Sequence, residues 1–337
     1  MPGPTSALRV LVTGASGFLG GHVVRELAGH GHAAVASGRD EDALRALGAA
    51  ADGIVVSDLA GLPGHRTPVD AVVHCAALST PWARRRDVHA ANVAGTRHAL
   101  DFAARNGARR FVFVSSPSVY AARKDRLGVR EDEVDVRRPL NGYIRSKLAA
   151  EALVAQALAD GRIAEAVIVR PRGLIGVGDP SLVPRLLEVH ARLGVPLFGD
   201  GDHLIDVTAV ENAALGLRLA LTRGDPRAGT YNLTNGEPRP FRALLDQLLD
   251  ACGLPARHRR LPRGPAWAAA SGLEAVCGVL PGRPEPPLTR YTLTTIAHAQ
   301  TLDISRARAD LGYAPRVSLD DALARIGAAH RSGRTHA

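Results

Sequence analysis

Two side chains that could move a proton stand four positions apart, Tyr143 and Lys147, in Asn141-Gly-Tyr-Ile-Arg-Ser-Lys147. On a helix this spacing puts phenol and ammonium on one face. The chain has five tyrosines and two lysines, so such a pair is expected by chance only about 0.03 times. A free phenol has a pKa of about 10 and exchanges protons near neutrality only where a neighbouring cation favours the phenolate. Lys147 could supply that charge. The same spacing also suits a plain amphipathic helix with a half-buried tyrosine and a solvated lysine.

The opposite end of the chain bears on that choice. Leu8-Arg-Val-Leu-Val12 is an apolar run of strand length, followed by Thr13-Gly-Ala-Ser-Gly-Phe-Leu-Gly20 and a helical pattern through Leu27. In this G-x-x-G-x-x-G turn, Gly14 permits the tight bend, Gly17 lets backbone amides approach a pyrophosphate, and Gly20 allows helix to pack on strand. Ser16, Phe18 and Leu19 fill the turn and join the candidate nucleotide contacts. A second strand, Ala33 to Ser37, ends where an acid would hold the ribose hydroxyl of NAD, but the chain reads Ser37-Gly38-Arg39-Asp40. Arg39 could accept a 2′-phosphate, which makes NADP(H) the preferred cofactor. Alternatively Arg39 begins a solvated helix and Asp40 takes the acidic role, which keeps NAD(H) open. Further strand-like runs at Gly53 to Ser57, Ala71 to His74 and Arg110 to Ser115 predict an α/β fold, a Rossmann-type doubly wound parallel sheet.

Composition removes several function classes. A chain of 337 residues with 46% hydrophobic content can bury a large core plus an appendage. The charge of +9 comes from arginines dispersed along the chain, with no aromatic-interleaved strip, so no nucleic-acid partner is expected. No signal-like segment precedes the first strand, and the distinctive apolar stretch Gly264 to Leu280 is too short to span a bilayer as a helix; a cytoplasmic protein without an integral membrane segment is expected. Cys75, Cys252 and Cys277 lack a metal-ligand pattern with the histidines and read as reduced packing residues.

Taken in order, Thr13 to Gly20, Asp58, His74-Cys-Ala-Ala77, Asn92-Val-Ala-Gly-Thr96, Val114-Ser-Ser-Pro-Ser-Val-Tyr120 and Tyr143 with Lys147 resemble the extended short-chain dehydrogenase/reductases. The later segments Arg170-Pro171, Asp206 to Ala214, Tyr231 to Glu237 and Asp303 to Pro315 extend the likeness over nearly the whole chain. The resemblance implies that Ser116 hydrogen-bonds the substrate carbonyl, with Ser118 the lesser candidate. It implies that Tyr143 transfers the proton, and that Lys147 lowers the tyrosine pKa and holds the nicotinamide ribose. Asn92 would open the fourth helix and support a proton relay, although helix capping explains an asparagine there equally well. Asp58 and Leu59 would lie near the adenine, Ala76 and Ala77 would follow the fourth strand onto the cofactor, and Pro171 would line the nicotinamide pocket.

Sugar-nucleotide dehydratases of this kind carry an Asp-Glu pair where this chain has Pro117-Ser118, which argues against dehydration. Ser115 to Ser118, Arg170 to Arg185 and Pro287-Leu-Thr-Arg290 are more similar to the 3β-hydroxysteroid dehydrogenase-like branch, which implies NADPH reduction of a β-keto acid or thioester. A nucleotide domain over 1–170, a mainly substrate-binding domain over 171–329 with segments returning to the core, and a flexible tail over 330–337 follow as expectations. Gly264 to Leu280 would be either an apolar lid or a core helix, and the charged stretch Ala121 to Arg138 a mobile flap or a merely solvated loop. A homodimer is implied through helices around Asn92 to Asn106 and Gly142 to Ala159. The rival functions are an NAD-dependent sugar-nucleotide epimerase and a catalytically silent dinucleotide sensor or scaffold.

Overall fold

The computed structural model describes residues 7–80, 82–134, 136, 139–286 and 288–333. Residues 1–6 before the first strand, 135, 137 and 138 of the charged stretch, and Pro287 of the quoted Pro287-Leu-Thr-Arg290 segment lie outside the described residues.

The apolar runs form strands because alternate side chains have a core on each side to enter. Val10 and Val12 pack into one layer with Val23, Val24 and Leu27 of helix Phe18–Ala28 and with Leu217 of helix Val210–Leu219. Leu11, between them, points the other way, towards Leu100 and Phe102 of helix Gly95–Arg105 and Val154 of helix Gly142–Ala159. The result is a seven-stranded sheet in the spatial order Arg227–Leu233, Glu165–Pro171, Arg110–Val114, Ala71–His74, Arg9–Thr13, Ala33–Gly38 and Gly53–Val56. All its pairings are parallel. Chain order reverses between Arg9–Thr13 and Ala71–His74, which opens a crevice at the carboxyl ends of these two strands.

The second half of the chain lends strand Arg227–Leu233 to the edge of this sheet and also forms smaller sheets of its own. One of these corrects the flap expectation. Arg126–Val129, inside the charged stretch, is a strand parallel to Gln300–Leu302, and the Gly128 amide donates to Thr301 Oγ1 at 2.8 Å. The charges hid it, because its partner lies more than half the chain away. Helix Arg263–Val279 buries only Ala266 and Ala270, while Val276 and Val279 are exposed, Val279 by 85%, so the core-helix reading does not hold. Helix Leu319–Arg331 takes in the first two residues of the expected tail; 334–337 lie outside the described residues.

Candidate active site

The glycine turn closes on itself and on the loop after the fourth strand. Gly14 adopts φ +68°, and a Cβ there would stand 2.9 Å from the Ala76 backbone; one on Gly20 would stand 2.1 Å from the Gly14 carbonyl oxygen. Gly17 caps helix Phe18–Ala28 without a side chain over its amides. Those amides are therefore free for an anion at the positive end of the helix. Thr13 Oγ1 accepts from the Ala76 amide at 3.2 Å and lies 2.7 Å from His74 Nδ1, which holds Ala76 and exposed Ala77 beside the turn. Ser16 is exposed next to Gly38, Phe18 sits edge-on to His22 and against Gly176, and Leu19 is half-buried.

At the end of the second strand Ser37 is buried and Arg39 exposed, with no ion pair to Arg39 among the described residues. Asp40 instead caps helix Glu41–Arg45, accepting from the Ala43 amide at 3.0 Å. Asp58 Oδ1 accepts from the Gly61 amide at 2.7 Å, a turn role, while Leu59 packs on Gly95. The cradle fits a dinucleotide, since a side chain at Gly14 or Gly20 would fill it and its helix amides have no partner from a capping side chain.

At the other side of the crevice, Asn141 caps helix Gly142–Ala159 by accepting from the Ile144 amide at 2.9 Å, which fixes where Tyr143 and Lys147 begin. Both are buried, Tyr143 to 8% and Lys147 to 4% exposure, so the solvated-lysine reading fails. Lys147 Nζ donates to the Val114 carbonyl at 2.9 Å over the ring of Phe113, and burial pulls its pKa down to about 8. Burial pushes the Tyr143 phenol above its usual range, while contacts with Ser79 and Ser116 pull it back.

Ser116 opens the turn Pro117–Tyr120; its Oγ accepts from the Ser118 amide at 3.2 Å and lies 2.6 Å from Ser118 Oγ. Tyr291, from helix Arg290–Ala297, donates to Ser118 Oγ at 2.9 Å. Tyr291, Ser118, Ser116, Tyr143 and Ser79 thus form a line of hydroxyls.

Asn92 neither opens nor caps the fourth helix. It is buried inside the Ala90–Ala94 turn, which has π-helical geometry and joins helices Arg85–His89 and Gly95–Arg105 without a break. Its Oδ1 accepts from the Leu78 amide at 2.7 Å, and its Nδ2 donates to the Leu78 carbonyl and to Ser146 Oγ at 3.2 and 2.9 Å. Ser146 in turn donates to the Tyr143 carbonyl at 2.7 Å. Thr96 Oγ1 donates to the Asn92 carbonyl at 2.6 Å and lies 3.2 Å from His74 Nε2, so one hydrogen-bonded path runs from the glycine turn to the tyrosine helix. Pro171 ends strand Glu165–Pro171 and is buried beside it. Sequence reasoning gave no role to His74, Ser79, Ser146 or Tyr291; only His74 carried a signal, as a polar residue closing an otherwise apolar strand.

Outside this line lies a cavity of about 300 Å³ lined by Trp82, Trp267, Leu140, Arg85, Arg145 and Tyr291. Arg123 lies 3.8 Å from the ring centre of Trp267. Among the described residues no cluster could hold a metal ion, and no helix is long and apolar enough to cross a membrane.

Residues 10–234 match the model of the NAD dependent epimerase/dehydratase family. The chain is 37% identical to a 2-alkyl-3-oxoalkanoate reductase of Stenotrophomonas maltophilia, over 95% of this chain and 98% of that one. It is 30% identical to the decarboxylating sterol-4-alpha-carboxylate 3-dehydrogenase of Homo sapiens, over 95% and 87%. Among solved structures, a UDP-glucose-4-epimerase from Stenotrophomonas maltophila with bound NAD superposes with a TM-score of 0.75 at 24% identity, covering 97% of this chain and 98% of that one. That last likeness speaks for the fold.

Proposed function

The chain belongs to the NAD dependent epimerase/dehydratase family as an NAD(P)-dependent oxidoreductase of the extended short-chain dehydrogenase/reductase type, 3β-hydroxysteroid dehydrogenase-like branch, and from this premise we propose that it reduces the ketone of an apolar β-keto acid or thioester to the β-hydroxy product. The observation that carries the reading is the meeting of Ser116 and buried Tyr143 beside Lys147 at the crevice where the glycine cradle opens. The likeness to a 2-alkyl-3-oxoalkanoate reductase supports the substrate class.

Gly14, Ser16, Gly17, Phe18, Leu19 and Gly20 would hold the pyrophosphate end of the cofactor, Asp58 and Leu59 the adenine end, and Ala76, Ala77 and Pro171 the nicotinamide end. Bound there, a reduced nicotinamide supplies the hydride. Ser116 gives up its contact with Ser118 to donate to the ketone oxygen, and Tyr143 passes its proton to that oxygen as charge develops. Lys147 holds the ribose and favours the phenolate left behind. Asn92, through Ser146, fixes the first turn of the tyrosine helix. Because Asp40 spends its carboxylate on a helix cap and Arg39 has no acid partner among the described residues, NADPH is the proposed donor, with NADH as the weaker one. Residues 171–329 are proposed to shape the substrate pocket, with Trp82, Trp267 and the apolar side of helix Arg263–Val279 along the alkyl chain. A homodimer through helices Gly95–Arg105 and Gly142–Ala159 completes the proposal.

The test is oxidation of NADPH and NADH by the purified protein with a 2-alkyl-3-oxo acid, alongside Tyr143→Phe. NADPH consumption that falls by about 10²-fold or more in the variant supports the reading. Tightly retained NAD without net oxidation would replace it by an epimerase.

A further inference from the structure

Among the described residues three arginines are buried, Arg110, Arg170 and Arg172, at 8, 4 and 7% exposure. Two are neutralised where they stand. Arg110 pairs with Glu165 at 3.1 Å and donates to the Arg223 carbonyl; Arg170 pairs with Glu151 at 2.6 Å. Arg172 has neither. Its Nε has no hydrogen-bond partner, and among the described residues its guanidinium makes no ion pair. The backbone that carries it is fixed, since its amide donates to the Leu233 carbonyl at 2.9 Å and its carbonyl accepts from Thr208 Oγ1.

The place of this charge is specific. Arg172 follows Pro171 at the end of the strand paired with the one that leads into Ser115 and Ser116. Its charge bears on Tyr291, whose hydroxyl reaches Ser116 through Ser118. The other group it faces, Asp206, is buried and accepts from the Leu302 amide at 2.7 Å, without reaching ion-pair distance of Arg172. An unpaired guanidinium in such surroundings carries a desolvation cost that an anion arriving with the ligand would offset.

Building on the ketone reduction proposed above, we propose that Arg172 binds the carboxylate of a free 3-oxo acid, so that the acid and not its thioester or ester is the substrate. In a 3-oxo acid the carboxylate sits two bonds from the ketone carbon, which matches a cation adjoining the hydroxyl line. Arg172 thereby determines specificity; it has no part in the proton transfer.

The experiment compares a freshly saponified 2-alkyl-3-oxo acid with its methyl ester in the wild type, Arg172→Met and Arg172→Lys. It also follows the thermal unfolding of each protein with the unreactive 2-alkyl-3-hydroxy acid and that acid's methyl ester. We expect the wild type to favour the acid by roughly 10²-fold in kcat/KM, the ratio to collapse towards one in Arg172→Met, and Arg172→Lys to fall between. Unliganded Arg172→Met should melt higher by roughly 2–4 °C, and lose protection by the hydroxy acid, because an unpaired charge has left the interior. An acid-to-ester ratio unchanged in Arg172→Met overturns the proposal, as does equal protection of all three proteins. If the wild type reduces neither compound, the ketone reading fails while the protection arm still decides Arg172.

Discussion

At the scale of single residues, what matters is which polar groups already have a partner. Asp40 has one in the Ala43 amide; Arg39, its neighbour, is exposed and has none among the described residues. Arg39→Ala should therefore raise KM for NADPH by roughly ten-fold and shrink the NADPH-to-NADH ratio of kcat/KM by a similar factor, read from initial rates. A ratio that does not move would remove Arg39 from the cofactor site. Partnering also decides what the sequence reveals. Tyr143, Lys147 and the glycines are legible because their spacing is local, and one helix or one turn suffices to bring them together. Tyr291 reaches Ser118 across 173 positions, and Arg172 is informative through what it lacks, so neither leaves a local pattern.

At the scale of elements, helix Gly142–Ala159 is held to the central sheet by the buried Arg170–Glu151 pair, with Tyr120 hydrogen-bonded to Asn232 beside it. Glu151→Leu strands Arg170 and should cost about 3–5 kcal/mol in urea unfolding, whereas Glu151→Leu with Arg170→Leu recovers most of that loss. Equal losses in the single and double variants would assign the helix docking to apolar packing. The first five strand-like runs were legible because parallel strands buried on both faces are continuous in Val, Ala, Ile and Phe. Arg126–Val129 was not, since its stability comes from Gln300–Leu302 and not from its own composition. The π-helical turn at Ala90–Ala94 was equally hidden, and the contacts that Asn92 makes there with Leu78 and Ser146 span 14 and 54 positions and leave no local pattern.

At the scale of the whole molecule, two buried titratable groups act on stability with opposite sign. Burial, aided by Lys147, holds His74 at about 3, below its ordinary 6.5. The unfolded chain then binds the extra proton between these values, so the stability from neutral His74 is complete above about pH 6.5 and is lost as pH falls towards 3. Burial raises Asp206 from 3.8 to about 6, so its contribution is complete below 3.8 and is lost as pH rises towards 6. His74→Asn should accordingly flatten the decline of unfolding free energy on acidification below pH 6.5, and Asp206→Asn should steepen it between pH 4 and 6, by up to roughly one proton each. Urea titrations at a series of pH values read both; identical slopes in all three proteins would show that neither group carries the linkage.

The contact of Tyr291 with Ser118, together with the pairing of Arg126–Val129 on Gln300–Leu302, also has a meaning in time. A chain emerging from the ribosome has the residues of the glycine turn and Ala76 after about a quarter of its length, yet the hydroxyl line beside Tyr143 is not tied off until residues near 300 appear. The glycine turn is thus made first and the last member of the hydroxyl line, Tyr291, close to the end, so the site is complete only when most of the 337 residues have been made.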